Sequence, residues 1–160
     1  MKTPLIMLLI LMSLSSFAKF ESKSWELKNN FKSSKVWKGT FTKSLYVAVE
    51  KNDIQDKKKY LNDLEGSSDS TKSKLLGLIG VSNWKRKTSK WKNFKNKKAF
   101  EIKGTYTDRE EETVYFREYH ILDNGTALKV VFTSVSAKSF KYEKEIASFI
   151  NQISTTDIDE

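Results

Sequence analysis

Two strand-like segments near residue 124 define one antiparallel pair of the fold. The segments TVYFREYHIL (113–122) and TALKVVFTSV (126–135) are rich in β-branched and aromatic residues, and only Asp123, Asn124 and Gly125 separate them. Asn-Gly is a strong signal for a two-residue hairpin turn because both residues tolerate a positive φ. A turn at these two residues pairs Asp123 with Thr126 and thereby sets the register of both strands.

The predicted register places apolar side chains on both faces of this hairpin. One face carries the pairs Ile121–Leu128, Tyr119–Val130 and Arg117–Phe132, and the other carries Leu122–Ala127, His120–Lys129 and Glu118–Val131. A sheet that is apolar on both faces has other elements packed on each of them. We therefore expect layers on both sides of the hairpin.

Other parts of the chain supply further strands. SWELKNNF (24–31) and KVWKGTFTKSLYVAVEK (35–51) alternate apolar and polar residues, which is typical of two or three strands. Leu45, Val47 and Val49 then point to one face, and Tyr46 and Ala48 point to the other. KKAFEIKGTYT (97–107) is another strand-like run.

Three segments predict helices. DIQDKKKYLNDLEG (53–66) has Asp53 as a candidate N-cap and ends at Gly66, and TKSKLLGLIG (71–80) is a second, shorter candidate. The best amphipathic helix is SFKYEKEIASFINQI (139–153), whose apolar stripe consists of Tyr142, Ile146, Phe149, Ile150 and Ile153. Taken together, the elements predict an α+β fold in which helices flank an antiparallel sheet.

Residues 1–18, MKTPLIMLLILMSLSSFA, have the pattern of a cleavable signal peptide. Lys2 gives a positive start, an apolar run follows to residue 14, and Ser16 and Ala18 are the small residues that a signal peptidase reads. The apolar run is shorter than the roughly 20 residues that span a bilayer. We therefore predict cleavage after Ala18, export to a bacterial periplasm or the cell exterior, and no transmembrane segment after the leader.

Residues 19–153 have the length of a single α+β domain, and no linker divides them. The segment STTDIDE (154–160) is acidic and predicts a frayed tail. The chain has no cysteine, and exported proteins without disulfides are more usual in bacteria than in eukaryotic secretion.

Little in the sequence supports catalysis or metal binding. His120 is the only histidine, and Glu118, two residues away on the same strand face, could orient it as a general base. No G-x-S-x-G motif provides an activated serine. Without cysteine or a second histidine, a zinc site is excluded. We predict no metal and no cofactor, and a small secreted hydrolase that uses His120 is the alternative function.

A basic and aromatic stretch, WKRKTSKWKNFKNKK (84–98), is the candidate binding site. The chain carries 29 basic and 20 acidic residues, a net charge of +9, which favours acidic partners. The candidate contact residues are Lys85, Arg86, Lys87, Lys90, Trp91, Lys92, Lys95 and Lys97, with Trp91 as an apolar anchor. In the competing interpretation, the lysines protect an edge strand from aggregation, and Trp84, Trp91 and Phe94 are core anchors.

Three kinds of partner fit such a stretch: an acidic protein, an envelope polymer or an anionic membrane surface. Lysines beside aromatic rings also hold single-stranded nucleic acid. Nucleic acid is scarce outside the cytoplasm, so we do not expect it to be the partner of an exported chain.

Five segments follow an extended N-terminal region and a helix pair: NWKRKTSKWKNF, KAFEIKGTY, YFREYHIL, GTALKVVFTS and EIASFINQI. This order resembles the PsbP-like αβα sandwich, the fold of extrinsic photosystem II subunits and of many small exported bacterial proteins. The chain has Lys98 where such proteins often have a glycine, and a cystatin-like α+β domain is the structural alternative. The resemblance implies a binding or assembly module and brings no functional residue with it. We therefore predict an exported, non-enzymatic binding or scaffolding domain.

Overall fold

The computed structural model describes residues 20, 22–32, 34–66, 77 and 80–159. Within them, seven strands form one antiparallel sheet in the order β1-β2-β3-β7-β6-β5-β4, so that β1 and β4 are the edge strands. The strands are β1 (Trp25–Phe31), β2 (Ser34–Gly39), β3 (Tyr46–Asp53), β4 (Ser82–Asn93), β5 (Lys98–Thr107), β6 (Thr113–Asp123) and β7 (Thr126–Ser134). The helices are α1 (Lys57–Gly66), a 3₁₀-helix (Ala137–Lys141), α2 (Glu143–Gln152) and α3 (Thr156–Asp159). The predicted fold class, an antiparallel sheet with flanking helices, is confirmed.

The β6–β7 hairpin has the register that the Asn-Gly turn predicts. Asp123 pairs with Thr126, and every pair predicted from the sequence follows. Asn124 and Gly125 have the positive φ angles that the turn requires, 38° and 81°. Because β3 and β5 flank this hairpin, its register positions the whole interior of the sheet.

The front face of the sheet, defined as the face that carries Tyr119 and Phe132, holds the main core. Helices α2 and α3 cover it, and the stripe predicted for the closing helix is buried from Ile146 onward. The main core includes Trp25, Trp37, Leu45, Val47, Val49, Tyr119, Val130, Phe132, Ile146, Phe149, Ile150, Ile153 and Ile158.

The opposite, or back, face holds a smaller core under helix α1. Trp84, Phe100, Ile102 and Phe116 are buried there, and Leu64 of α1 packs on them. Helices therefore lie on both faces of the sheet, as the apolar residues on both faces of the hairpin predict.

Two of the predicted helix starts differ from the structure. Helix α1 begins at Lys57, because β3 continues through Asp53, which pairs with Thr126. The N-cap is Asp56, whose Oδ1 accepts the backbone N–H of Lys59 at 2.9 Å. The closing helix is broken at Tyr142, whose ψ of 55° is not helical, so that a 3₁₀-helix precedes α2.

The prediction of a frayed tail is wrong for residues 154–159. Ile158 is buried in the main core, and Asp157 is also buried. Asp157 Oδ1 accepts the backbone N–H of Phe20 at 2.8 Å, and Oδ2 accepts both the backbone N–H and the hydroxyl of Ser154. The packed part of the domain therefore extends past residue 153 to α3. The sequence of the segment does not predict this, because one of the hydrogen-bond donors to Asp157 comes from the distant residue Phe20.

The predicted signal peptide (1–18) and nearly all of the predicted helix 71–80 lie outside the described residues. Of the helices that the structure describes, none combines the length and the apolar character needed to cross a bilayer.

Candidate functional site

The predicted binding stretch forms strand β4 and the loop that leads into β5. Strand β4 is an edge strand of 12 residues that pairs with β5 on one side. Its register shifts twice, between Ser82 and Lys85 and between Arg86 and Thr88. Edge position, lysines and bulges are the features with which native sheets avoid edge-to-edge association, so that the edge-protection interpretation fits this strand.

The alternation of side chains along β4 divides the predicted site between two faces. Lys90 pairs with Glu101 and lies on the front face, whereas Trp91 pairs with Phe100 and lies on the back face. The Trp91 ring contacts the Phe100 ring at 5.4 Å, and the Lys98 ammonium lies 4.8 Å from the centre of the Trp91 ring. The structure therefore separates Trp91 from Lys90 and Lys92, its neighbouring lysines in β4.

Arg86 also leaves the predicted surface. Its Nη1 donates to the backbone carbonyl of Leu64 at 3.2 Å, which ties β4 to the end of helix α1 on the back face. Arg86 is half-buried. Its role in this structure is to hold α1 against the sheet.

A set of six basic side chains does come together on the front face beside β4, and we call it the basic face. It consists of Lys85, Lys87, Lys90 and Lys92 from β4, Lys103 from β5 and Arg117 from β6. Lys103 and Arg117 were not predicted as site residues, because they lie outside the basic stretch of the sequence. They are direct cross-strand partners, and Thr88 of β4 pairs with Lys103.

Two carboxylates hold the inner cations of the basic face in place. Glu101 is 1% exposed, and its oxygens lie 3.4 Å from Nζ of Lys103 and 3.7 Å from Nζ of Lys92. Glu143, at the start of α2, accepts from Nη1 of Arg117 at 2.5 Å. Lys92 is also 3.7 Å from Glu143. These cations are therefore held in fixed positions by contacts within the domain.

The positive charges around Glu143 lower the pKa of its carboxyl group. Burial alone would raise the pKa of this carboxyl, but the hydrogen bond and charge of Arg117, with the charges of Lys92 and Lys103, outweigh burial and lower the pKa. Arg117 is fixed further by a hydrogen bond from Nη2 to the Phe140 carbonyl at 3.2 Å and by the Phe140 ring, 4.8 Å from its guanidinium carbon. Six cations against two carboxylates leave this surface strongly positive.

The loop between β4 and β5 contains the two remaining predicted residues. The Lys97 ammonium donates to the Ile153 carbonyl at the end of α2, and burial lowers its pKa. Lys97 is therefore used inside the domain. Lys95 is exposed.

Two of the three aromatic residues in the stretch are core residues. Trp84 is buried and stacks on Phe116, with ring centres 5.6 Å apart. Phe94 is half-buried and meets the Tyr119 ring edge-on at 5.6 Å. Only Trp91 is exposed, at 38%. The core-anchor interpretation thus holds for Trp84 and Phe94.

His120 pairs with Glu118, as its position on the strand predicts, but it is not at the surface. It is 3% exposed, because helix α1 lies over it. Its Nε2 lies 2.5 Å from Oε1 of Glu118, and its Nδ1 lies 2.7 Å from the Tyr60 hydroxyl. Burial, assisted by the charges of Glu118 and Glu50, raises the pKa of Tyr60 to about 12. Both ring nitrogens are engaged, so the arrangement serves packing better than proton transfer to a substrate.

No group of three or more metal-ligating side chains occurs among residues that the structure describes.

No family model matches the chain, and no curated protein matches its sequence. Solved structures do match. Cyanobacterial PsbP (CyanoP) from Synechocystis sp. PCC 6803 is similar with a TM-score of 0.56 and 8% identity, over 82% of this chain and 81% of that one. Protein PA94 of Pseudomonas aeruginosa, of unknown function, is similar with a TM-score of 0.54 and 12% identity, over 81% of this chain and 96% of that one. The chain therefore has a PsbP-like fold, and at these identities the likeness extends to the fold alone.

Proposed function

We propose that this chain is an exported, non-enzymatic binding domain that recognises an acidic partner through its basic face. The observation that carries the proposal is the concentration of six basic side chains around two carboxylates on the front face beside β4. Lys85, Lys87 and Lys90 are exposed, so they are accessible to a partner. The signal-like leader supports export, and the buried position of His120 supports a non-enzymatic role.

The geometry favours a partner whose charges are carboxylates on a protein over a membrane. A sheet surface that docks on an anionic membrane gains most when its lysines and an interfacial aromatic ring point to the same side. Here the exposed ring of Trp91 lies on the back face, whereas Lys90 and Lys92 lie on the front face. Five of the six cations are lysines, which bind an anionic group as point charges and do not require a planar bidentate partner. An acidic protein segment is the partner that these features fit best.

A charge-matched pair of variants tests this proposal. The first variant carries Lys85→Gln, Lys87→Gln and Lys90→Gln on the basic face. The second carries Lys57→Gln, Lys58→Gln and Lys59→Gln, three exposed lysines of α1. Both lose the same net charge, so any difference between them reports the position of the charges. The probe is fluorescent poly-L-glutamate, and the measurement is anisotropy at low and at physiological salt.

We expect the first variant to bind about tenfold more weakly than the parent, since three exposed charge contacts at up to ~1 kcal/mol each reach this magnitude. The α1 variant is expected to stay within about threefold of the parent. Equal losses in the two variants would mean that only net charge attracts the probe, and the basic face would then not be a site. Tighter binding to anionic vesicles than to poly-L-glutamate would replace the protein partner with a membrane.

A further inference from the structure

A cavity of about 260 Å³ lies at the other edge of the sheet, beside β1 and β2. Its walls are the aromatic rings of Phe20, Trp25 and Trp37, and Leu27, which is 40% exposed, also lines it. The polar part of the lining consists of Ser22, Lys35 from β2 and Asp157 from α3. The cavity is thus mostly apolar and contains a small number of fixed polar groups, as ligand sites do.

Lys35 is the unusual member of this lining. Its side chain points into the front-face core and is 3% exposed, although lysine is rarely buried without a counter-ion. Its ammonium donates to the backbone carbonyl of Asp157 at 2.5 Å. An ammonium has three N–H donors, and the contacts within the described part of the chain account for one of them. A buried cation with unfilled donors is unfavourable, so the site calls for an additional acceptor.

The Asp157 carboxylate does not fill this need, because its oxygens are used elsewhere. Oδ1 accepts the backbone N–H of Phe20 at 2.8 Å. Oδ2 accepts the backbone N–H and the hydroxyl of Ser154, at 2.7 Å and 2.6 Å. The carboxylate is thereby committed to joining the N-terminal region of the core to α3, and it is the Asp157 carbonyl, not the carboxylate, that faces Lys35.

We propose that this cavity binds a small monocarboxylate with an apolar body. The carboxylate accepts from the free N–H groups of Lys35, and the apolar part lies between the rings of Phe20, Trp25 and Trp37. The cavity is smaller than the roughly 300–1,000 Å³ typical of sites for drug-sized ligands. The apolar part of the ligand must therefore be small.

The charges around the cavity also select against other anions. A phosphate group carries between one and two negative charges at neutral pH, and it would face the negative charge of the nearby Asp157. A monocarboxylate satisfies Lys35 and brings only one negative charge near Asp157, which is the least repulsion an anionic ligand can have.

The test compares 4-phenylbutyrate with 4-phenylbutan-1-ol, which has the same apolar body without the carboxylate. Trp25 and Trp37 line the cavity, so that tryptophan fluorescence reports binding directly, and a thermal shift provides a second readout. We expect saturable binding of the acid and at least a tenfold weaker binding of the alcohol. Equal affinity for the two probes, or no saturable binding of either, would overturn the proposal without any variant.

The variant Lys35→Met keeps a long unbranched side chain and removes the ammonium. Since it removes a buried charge and not an apolar contact, it is expected to fold. It should bind the acid no better than the alcohol. The control is Lys51→Met, because Lys51 also contacts α3, through Asp159, but does not line the cavity. This control should keep the preference of the parent for the acid, and a Lys35→Met protein that retains the preference would overturn the proposal.

Discussion

The Nε2 atom of His120 lies 2.5 Å from Oε1 of Glu118, and both side chains are buried between the sheet and helix α1. The Tyr60 hydroxyl closes the arrangement from α1, 2.7 Å from Nδ1. When the imidazole is neutral, Nε2–H donates to Glu118 and Nδ1 accepts from Tyr60. The three side chains therefore fasten a mostly polar helix to the back face of the sheet through hydrogen bonds.

We predict that His120→Ala destabilises the fold. We also predict that neither the parent nor the variant hydrolyses ester, glycoside or phosphate substrates. The substitution removes both hydrogen bonds of the ring, and the free energy of unfolding should fall by about 2–4 kcal/mol. Urea unfolding measures this, with Lys129→Ala as the control, because Lys129 is the half-exposed cross-strand neighbour of His120. Hydrolysis of ester, glycoside or phosphate substrates by the parent that is lost in the variant would instead support a hydrolase.

Tyr60 should make stability depend on pH in the alkaline range. Its pKa is raised from 10.0 to about 12 in the folded protein by burial and by the charges of Glu118 and Glu50. Between these two values the unfolded chain releases the proton while the folded chain keeps it, so that the contribution of Tyr60 to stability is lost as the pH rises. The stability difference between parent and Tyr60→Phe should therefore narrow from pH 9 to pH 12. A difference that stays constant over this range would contradict the prediction.

Asp157 and Asp159 provide a matched test of the docked C-terminal segment. Asp157→Asn weakens three hydrogen bonds that a buried carboxylate accepts, and we expect a loss of about 2–3 kcal/mol in the free energy of unfolding. Asp159→Asn breaks an exposed ion pair with Lys51 and should cost at most about 1 kcal/mol. Similar small effects at both positions in urea unfolding would mean that the segment is not anchored by Asp157.

Gly104 and Gly66 test the close approach of β4 and β5. A Cβ atom on Gly104 would lie 2.1 Å from the Lys85 carbonyl and 2.6 Å from the Phe116 ring, so Gly104→Ala forces the strands apart. We expect a loss of about 3 kcal/mol or more. Gly66→Ala, at the end of α1, meets no atom within 4 Å and should change stability by less than about 1 kcal/mol. Thermal unfolding should give a clearly lower melting temperature for Gly104→Ala than for Gly66→Ala. Equal melting temperatures of the two variants would refute the close contact at Gly104.

The sheet could be predicted from the sequence mainly where the signals are local. Asn124-Gly125 defines the turn by its φ angles, and the turn defines the register, so that the interior hairpin is correct pair by pair. The start of α1 could not be predicted, because Asp53 and Asp56 are both good N-caps. Pairing with β7 keeps Asp53 in the strand, and this pairing is a tertiary effect.

The acidic C-terminal segment shows the limit of local reasoning more clearly. The composition of this segment predicts a solvated tail. In the structure, the buried Asp157 carboxylate accepts a hydrogen bond from the backbone N–H of Phe20, which lies 137 positions earlier in the chain. No pattern within seven residues carries that information.

The candidate site was predicted in part. The stretch 84–98 identifies the β4 lysines, but Lys103 and Arg117 join them from other strands, and only the sheet register brings them together. The separation of Trp91 from Lys90 and Lys92 was accessible from the sequence, because adjacent strand residues point to opposite faces. Arg86 and Lys97 both bind backbone carbonyls at the ends of α1 and α2. The positions of these helix ends in space cannot be predicted from the sequence of β4.

The contact between Phe20 and Asp157 sets an order for events during biosynthesis. Phe20 is translated 137 positions before the carboxylate that holds it, and its ring rests on Trp37 and on Phe149, which is also a late residue. A nascent chain therefore cannot seal the N-terminal side of its core until α3 has been synthesised.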